Sequence, residues 1–456
     1  MAQSIRHPSD HDESGTAAGA KRSGYGSGEA PRWVDYSRCV HCGLCLNACP
    51  TYRELGLEMD SPRGRIYQMI QVEKGRLPLG ESFVRHIDLC LDCRACETAC
   101  PSGVEYGKLV EVARSQIEQH YHRPPLTTLF RKLFYYEILP YPRRLRIAGR
   151  LLRFYQRSGI EKLVLASRML KLIPGRLEQV ARLAPRMEKP FFYESLGKTY
   201  PALGERRYRV AFFAGCIANL AFARLNDATI RVLTRNGCEV VVPRDQGCCG
   251  ALHVHAGIRH IARDMAKRNI QTFLRGEFDA VITNAAGCGS VLKEYPWLFE
   301  EEEKGSLDPA QAFVAKLRDV TEFLAGIDFN RELGIMKARA TYQDPCHLGH
   351  AQGVRSAPRK LLAAVPGLEL VELKEGEICC GSAGVYNVVH NEMAERLLAN
   401  KLRRIEQTRA ELVLTANPGC LLQLRAGISR GGNQHRVLHV IELLDEAYRR
   451  AEAGKP

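Results

Sequence analysis

The 456-residue sequence predicts an α/β fold in which an α-helical part is followed by two duplicated domains, each with a small parallel sheet. Three observations predict it. Seventeen cysteines fall into regularly spaced sets, and the C-terminal sets recur at an offset of 130–132 residues. Short β-branched runs also alternate with helical stretches in that half of the chain, which is typical of parallel sheets.

Composition favours an ordinary globular protein of two to four domains, with 45% hydrophobic and 25% charged residues. The longest uncharged apolar stretch, residues 210–223, is shorter than the roughly 18 residues that a membrane helix needs. The N-terminus has no apolar signal core, so we expect a cytoplasmic protein. In a reducing compartment, many cysteines indicate metal or redox chemistry more often than disulfides.

The first eight cysteines form two quartets, CVHCGLCLNACP at 39–50 and CLDCRACETACP at 90–101. Each has the spacing of a bacterial ferredoxin, in which the fourth cysteine ligates the other [4Fe–4S] cluster. Structural zinc is the weaker alternative, because it normally uses two C-x2-C pairs per ion. The predicted ligands are Cys39, Cys42, Cys45 and Cys100 for cluster 1, and Cys90, Cys93, Cys96 and Cys49 for cluster 2.

The segment between the quartets predicts a helix, since Ile66, Met69 and Ile70 recur at helical spacing. A mostly helical domain with two [4Fe–4S] clusters is therefore expected. Arg63 and Arg65 could counter the negative charge of the clusters or lie in a solvated loop.

Eight of the other cysteines form the repeat, and each adjacent pair continues into a glycine, Gly250 or Gly381. Cys238 has no counterpart and is predicted to be a small buried hydrophobe. The two sets are Cys216, Cys248, Cys249 and Cys288, and Cys346, Cys379, Cys380 and Cys420.

Predicted strands place these thiols. RVAFFAGC, CEVVVP and FDAVITNAAGC in the first copy correspond to ARATYQDPC, LELVEL and ELVLTANPGC in the second. Four of the eight cysteines therefore follow the C-terminal ends of parallel strands, where open α/β sheets bind their ligands. We expect four convergent thiols per copy to form an additional metal or redox site; inert core cysteines are the alternative.

Together these motifs resemble the family of glycolate oxidase (glycolate dehydrogenase) iron–sulfur subunits, from about Trp33 to the C-terminus. The stretches that carry the resemblance are CVHCGLC, PRGRIY, CRACETACPSGV, GCCGA, GCGSVLKEY and CCGSAG. The resemblance implies an electron-transfer subunit that passes electrons from a flavin subunit through two [4Fe–4S] clusters to a quinone-like acceptor. Glycolate would be oxidised to glyoxylate on the partner, with no catalytic residue on this chain.

Two features limit what the resemblance implies. No strand–GxGxxG–helix motif is found, so the flavin is expected on another subunit. The same relay could serve a lactate or glycerol-3-phosphate dehydrogenase, which have related cysteine-rich domains.

Related domains of heterodisulfide reductase end in C-x2-C, where this chain has Val291 and Gln423. Each duplicated set could instead hold a smaller iron–sulfur cluster, zinc or a redox disulfide. Nearby histidines could complete a site, although core or surface roles are more frequent for histidine. These are His253, His255, His347 and His350.

The positive charge is local, because residues 121–190 hold 16 Lys+Arg and 4 Asp+Glu, or +12 of the net +14. A predicted helix there carries an arginine stripe (Arg146, Arg150, Arg153 and Arg157) and an apolar face (Ile147, Leu151, Leu152, Phe154 and Tyr155). Such a helix could dock on a partner subunit or on the inner membrane face, or simply pack on its own protein. A zinc-rich nucleic-acid-binding protein is a remote alternative, and no nucleic-acid partner is expected.

The predicted organisation has five parts. They are a disordered tail (1–30), the helical two-cluster domain (31–120), a basic helical linker (121–204) and two cysteine-rich domains (205–330 and 331–456).

Overall fold

A computed structural model describes residues 24–167, 184–300, 304–432 and 435–454. Most of the predicted tail, residues 1–23, lies outside the described residues. The adjoining residues 24–30 pack on the protein, since Tyr25 is buried and its hydroxyl donates to the carbonyl oxygen of Met69 (3.1 Å). A buried aromatic ring offsets the entropy of ordering this short segment.

The N-terminal domain is helical, as the sequence predicts. Ser61 caps its longest inter-quartet helix by accepting a hydrogen bond from the Gly64 amide (3.0 Å), and Pro62 follows at the first helical position. Apolar residues of this helix and of the helices Glu81–Asp88 and Tyr106–His120 form the core beneath the quartets. The helices are α1 (Trp33–Tyr36), α2 (Pro50–Leu55), α3 (Pro62–Glu73), α4 (Glu81–Asp88), α5 (Ala95–Thr98) and α6 (Tyr106–His120), with a 3-10 turn at Glu58–Asp60.

The linker is mainly helical in its described residues that precede position 168. It comprises α7 (Pro125–Arg131), a π-helix (Lys132–Ile138), α8 (Pro142–Arg157) and α9 (Ile160–Ala166), with a 3-10 turn at Phe192–Ser195 further along the chain. Helix α8 packs closely on the first cysteine-rich domain, because a Cβ on Gly149 would lie 2.7 Å from Leu220. In the described ranges, no helix combines the length and apolarity needed to cross a membrane.

The first cysteine-rich domain has a five-stranded sheet in the order β1-β3-β2-β4-β5. All neighbouring pairs are parallel except β1, which pairs antiparallel with β3. The strands are β1 (Thr199–Tyr200), β2 (Tyr208–Phe213), β3 (Cys238–Val241), β4 (Ala280–Thr283) and β5 (Leu317–Asp319). The helices are α10 (Ala218–Ala221), α11 (Ala223–Arg235), α12 (Ala251–Val254), α13 (Arg259–Leu274), α14 (Ala286–Lys293), α15 (Tyr295–Phe299), α16 (Leu307–Lys316) and α17 (Val320–Gly326), with a 3-10 turn at Lys304–Ser306.

The second domain repeats this plan with a fully parallel four-stranded sheet, in the order β7-β6-β8-β9. The predicted duplication of small parallel sheets is thus confirmed. The strands are β6 (Ala338–Tyr342), β7 (Leu368–Glu372), β8 (Leu412–Thr415) and β9 (Arg436–His439). A π-helix (His347–Ala351) and helices α18 (Ser356–Ala363), α19 (Tyr386–Val389), α20 (Asn391–Thr408), α21 (Pro418–Gly431) and α22 (Val440–Ala453) complete it.

The two copies exchange equivalent contacts across their interface. Helix α11 of the first copy packs on α22 of the second, and α18 of the second packs on α17 of the first. Ion pairs at the α11–α22 contact join Arg231 to Asp445 (2.8 Å) and Arg235 to Glu452 (2.6 Å). One hydrophobic core runs through both domains, so the repeats form a single unit that holds both thiol sets.

Candidate metal and redox centres

The first centre lies at the surface of the helical domain. Val40 and Leu44, in the loop that carries three of its thiols, are 68% and 60% exposed. His41 and Gly43 have φ of 54° and 84°, and these left-handed residues curl the loop around the thiols. The depression at the centre of this loop is lined by Cys39, Cys42, Cys45 and Cys100. We call this group the first quartet site.

The second centre is buried. Its cavity is lined by Cys49, Cys90, Cys93 and Cys96, and all four are buried. We call this group the second quartet site. Cys49 lies with the thiols of the other sequence run, and Cys100 lies with the first run, so the fold brings together both groups expected from the ferredoxin spacing.

The surroundings of the second quartet site suit an anionic group. The Tyr106 hydroxyl donates to Cys90 Sγ (3.7 Å), the Asp92 amide donates to Cys90 Sγ (3.4 Å), and Arg65 Nη1 donates to Cys49 Sγ (4.0 Å). No described residue that lines the cavity carries a carboxylate. Hydrogen bonds and positive charge near sulfur are the means by which a protein stabilises an iron–sulfur cluster and tunes its potential.

Burial raises the pKa of Cys93 and Cys96 well above its usual range, and neighbouring thiols raise it further. Four buried thiolates are therefore unfavourable without compensating positive charge, which bound metal ions supply. The donor set of four thiols fits an iron–sulfur cluster; it also satisfies the ligand count of zinc.

The two arginines of the segment between the quartets, Arg63 and Arg65, have different environments. Arg65 is 1% exposed, donates to the carbonyl oxygen of His86 (2.7 Å) and lies 3.5 Å from Asp60. Burial opposes its charge, but the Tyr106 hydroxyl, nearby thiols and Asp60 outweigh that effect, so its pKa lies above the usual value. Arg63 lies near the surface and pairs with Glu58 (2.6 Å). The buried counter-charge is thus Arg65, in a helix and not in a loop.

In the first cysteine-rich domain, four thiols meet beyond the ends of β2 and β4. Cys216 Sγ lies 3.2 Å from Cys248 Sγ, and hydrogen bonds continue from Cys248 to Cys249 and on to Cys288. Hydrogen bonds from the Cys216 and Cys249 thiols lower the pKa of Cys248 well below its usual value. We call these four residues the first thiol set. Cys238 lies apart from them and is buried, as predicted for a small core residue.

The second domain forms an equivalent group. Thiol–thiol hydrogen bonds link Cys346 to Cys379, Cys379 to Cys380, and Cys380 to Cys420. Backbone and side-chain donors also reach this group, from the Gly381 amide to Cys379 Sγ and from Asn417 Nδ2 to Cys420 Sγ, both at 3.4 Å. We call these four residues the second thiol set. Each repeat therefore gathers one thiol quartet of its own.

The second quartet site adjoins the second thiol set. After burial, the largest influence on the pKa of Cys93 is the negative charge of Cys346, which raises it. Cys93 and Cys379 belong to one apolar cluster with Tyr386 and Met393. A group bound at one site is thus separated from the other by packed side chains and not by solvent.

The first thiol set lies beneath the linker. Burial and then the negative charges of Cys216 and Cys248 raise the pKa of Tyr193. Arg146 of α8 stands 5.7 Å from the centre of the Tyr193 ring. Tyr135 of the π-helix packs in the same apolar cluster as Cys248.

The four candidate histidines bind groups other than thiols. His253 Nε2 lies 2.7 Å from the carbonyl oxygen of Tyr135, and burial lowers its pKa. The others join the cysteine-rich domains to the helical domain, in three pairs: His255 Nδ1 with Asp92 (3.0 Å), His347 Nε2 with the carbonyl oxygen of Asp92 (2.9 Å), and His350 Nδ1 with Thr98 (2.9 Å). Their role here is to hold domains together.

Comparison with known proteins matches every part of this arrangement. Residues 35–104 match the family model of the 4Fe-4S dicluster domain, and residues 127–184 match the linker region of the glycolate oxidase iron-sulfur subunit. Residues 210–293 and 340–425 each match the cysteine-rich domain. The probable glycolate oxidase iron-sulfur subunit of Bacillus subtilis (strain 168) is 42% identical over 90% of this chain and 93% of its own length. The chain belongs to the family of glycolate oxidase iron–sulfur subunits.

Two further relatives show how much of the chain is shared with other proteins. The glycolate oxidase iron-sulfur subunit of Escherichia coli (strain K12) is 32% identical over 90% of this chain and 93% of its own length. Lactate utilization protein A of Geobacillus sp. (strain WCH70) is 33% identical, but over only 52% of this chain and 99% of its own length. The predicted resemblance and domain order of a glycolate oxidase iron–sulfur subunit are confirmed, and the dicluster and cysteine-rich domains indicate iron–sulfur clusters.

This iron–sulfur subunit also has a buried charge network that the sequence analysis missed. Arg94 contacts Asp92 (2.9 Å) and Glu111 (2.8 Å), and His255 lies 3.2 Å from Glu111. Burial opposes a charge on His255, but its two carboxylate partners raise its pKa to about 9; burial raises the pKa of Glu294 to about 7. Asp92 and Arg94 lie within the second ferredoxin run and His255 is one of the candidate histidines, but no spacing along the chain relates them to Glu111 or Glu294, so the network could not be read from the sequence.

Proposed function

We propose that this chain is the electron-transfer subunit of a glycolate-oxidising complex, taking electrons from a flavin-containing partner subunit and delivering them to a quinone-like acceptor. One observation carries the proposal: an exposed first quartet site, a buried second quartet site and the adjoining second thiol set lie in series. [4Fe–4S] clusters held at the two quartets would supply one-electron redox chemistry. Substrate oxidation itself is placed on the flavin-containing partner, as the resemblance to the family implies.

The first quartet site is where we place the partner. Its Cys42 is exposed, as are Val40 and Leu44. Leu57 and Met59 are exposed on either side of Glu58, whose partner Arg63 donates to the carbonyl oxygen of His41 (3.0 Å) in the same loop. A cluster of exposed apolar side chains beside a redox centre favours a protein contact, because its burial is favourable and brings the two centres close.

The side chains around the second quartet site support transfer towards it. Arg65 places a buried positive charge beside Cys49, whereas Arg63, the arginine nearest the first quartet site, is close to solvent and already paired. The low dielectric around the buried Arg65 strengthens the electrostatic effect of its charge, whereas solvent screens the charge of Arg63. The second quartet site is therefore expected to favour the reduced state more strongly.

The two thiol sets are proposed as additional sites for an iron–sulfur cluster, with zinc as the alternative. Support comes from four convergent thiols in each set and from thiol hydrogen bonds that favour a thiolate at Cys248 and Cys380. The second thiol set is the one placed to exchange electrons with the quartets.

Anaerobic co-purification of the complex, followed by assays with glycolate, lactate and glycerol 3-phosphate, tests the substrate. Glycolate-dependent reduction of a quinone analogue is expected. Activity with lactate alone would contradict the glycolate assignment and support the lactate alternative, which the lactate utilization relatives favour. Val40→Glu with Leu44→Glu should weaken binding of the flavin subunit, whereas Leu203→Glu, at a residue 56% exposed, should not.

A further inference from the structure

The linker exposes an unusual number of large apolar side chains. Among the described residues, ten of the twenty-one exposed large hydrophobic residues lie within 126–163. We call them the linker face: Leu126, Leu129, Phe130, Leu133, Tyr141, Ile147, Leu151, Phe154, Ile160 and Leu163. Side chains this apolar are normally covered in a globular protein, and an exposed group of them marks a contact surface.

Helix α8 shows how its residues divide between two sides. Its protein side holds Leu145 and Gly149, both buried. Its outer side holds Ile147, Leu151 and Phe154, and the last two are each 66% exposed. The apolar face predicted for this helix is therefore divided: Leu152 and Tyr155 are partly buried, whereas its other three residues point away from the protein.

Arginines accompany the apolar residues on the outside of α8. Arg143, Arg150 and Arg157 are exposed, and none of them forms an ion pair with the residues that the structure describes. Positive charge that has no ion-pair partner in the described ranges, interleaved with outward apolar side chains, matches a surface that is negative outside and apolar beneath. An anionic lipid bilayer has both properties, whereas a soluble partner would need an acidic rim around an apolar patch.

The position of the linker adds a second reason. The inner side of α8 reaches the first thiol set through Arg146 and Tyr193. A bilayer in contact with the outer side of α8 would lie on one side of this helix, and the first thiol set would lie on the other. The linker face would therefore bring one redox centre close to the phase in which quinone-like acceptors dissolve.

We infer that the linker face binds the surface of an anionic lipid bilayer, with α8 lying in the interface and the exposed Arg143, Arg150 and Arg157 at the headgroups. The inference names the membrane contact of the proposed relay, and its acceptor part rests on that proposed function. Lipid binding itself depends only on the linker face, so the two can fail separately.

The test is co-sedimentation of the full, cluster-containing chain with vesicles of mixed phosphatidylglycerol and phosphatidylcholine, and with phosphatidylcholine alone. Wild type should bind the anionic vesicles, and less so at high salt. Leu151→Glu with Phe154→Glu should weaken binding about tenfold or more, since two buried apolar contacts are replaced by charge. Arg150→Gln should weaken it about fivefold. Ile335→Glu, at a residue 60% exposed outside the linker, is the matched control and should bind like wild type.

Iron content and the visible spectrum report that each variant is folded and loaded. Equal binding to both vesicle types, or equal loss in the Ile335→Glu control, would overturn the inference. The inference would also be overturned if wild type bound no vesicles and instead formed a dimer in solution, or a tight complex with the flavin subunit, that Leu151→Glu abolishes. Vesicle binding without reduction of a membrane quinone analogue would keep the inference and overturn the proposed acceptor.

Discussion

Replacement of Arg65 by glutamine should lower the reduction potential of the cluster expected at the second quartet site. The guanidinium is buried and its Nη1 lies 4.0 Å from Cys49 Sγ. It stabilises the extra negative charge of the reduced state, and glutamine keeps a hydrogen-bond donor there without the charge. The oxidised state should therefore become relatively more stable.

The magnitude follows from that distance. A full unit charge 4.0 Å away interacts by about 4 kcal/mol at an effective dielectric constant of about 20. The added electron is spread over the cluster and its four sulfurs, so roughly a quarter to a half of this interaction, about 1–2 kcal/mol, is lost on substitution. For a one-electron couple this corresponds to a decrease of about 40–90 mV.

Potentiometric titration monitored by electron paramagnetic resonance measures the shift. Arg65→Lys retains the charge and should keep most of the wild-type potential. Arg63→Gln is the matched control, because that arginine pairs with Glu58 near the surface, and the potential at the first quartet site should change little.

An unchanged potential in Arg65→Gln would refute the reasoning, and so would a shift of equal size at the first quartet site in Arg63→Gln. Arg65 also lies beside the buried Asp60, so removal of its charge costs stability as well. If Arg65→Gln fails to fold, a potential in Arg65→Lys equal to that of wild type supports the electrostatic account, and a large decrease contradicts it.

Three further predictions concern metal content, backbone strain and pH. The anaerobically purified chain should be brown with about eight irons in its ferredoxin quartets, and Cys248→Ser and Cys379→Ser should remove only iron beyond that number; a colourless zinc protein would contradict this. Gly250→Ala should lower the unfolding free energy by about 1 kcal/mol, because alanine is strained in the left-handed backbone conformation of this position. Gly381→Ala should lower it by about 2 kcal/mol more than Gly250→Ala, because its Cβ would also meet a backbone oxygen at 2.6 Å; chemical denaturation measures both. The pKa of His255 is raised from 6.5 to about 9, so its contribution of about 3 kcal/mol is fully present below pH 6.5 and lost as the pH rises through 9. The unfolding free energy of His255→Gln should lack that decline, and an identical decline in both proteins would assign it to another group.

Much of the architecture was predictable because it rests on short-range patterns. A ferredoxin run encodes its ligand spacing within twelve residues, and the near-constant offset between cysteine sets reveals duplication without any knowledge of packing. The strand predictions succeeded for the same reason, since β2, β3 and β4 coincide with the runs predicted in the first repeat and β6, β7 and β8 with those of the second.

The linker shows where such patterns stop being informative. Periodicity identified α8 and its arginine stripe, but it could not say which apolar residues face the protein. The close contact of Gly149 with Leu220 sets the rotation of the helix, and this rotation leaves Leu151 and Phe154 outside. Only the neighbouring domain supplies that information.

The sequence by itself thus determined the thiol sets, the domain order and the family, because each depends on spacing along the chain. The tertiary structure decided which sets adjoin, that Arg65 and not Arg63 is the buried counter-charge, and which side of the linker faces outward. Cys93 and Cys346 are 253 residues apart in the chain, and only the packing of the helical domain against the second repeat brings them together. Distances of that kind arise from the sum of many domain contacts, and no local spacing encodes them.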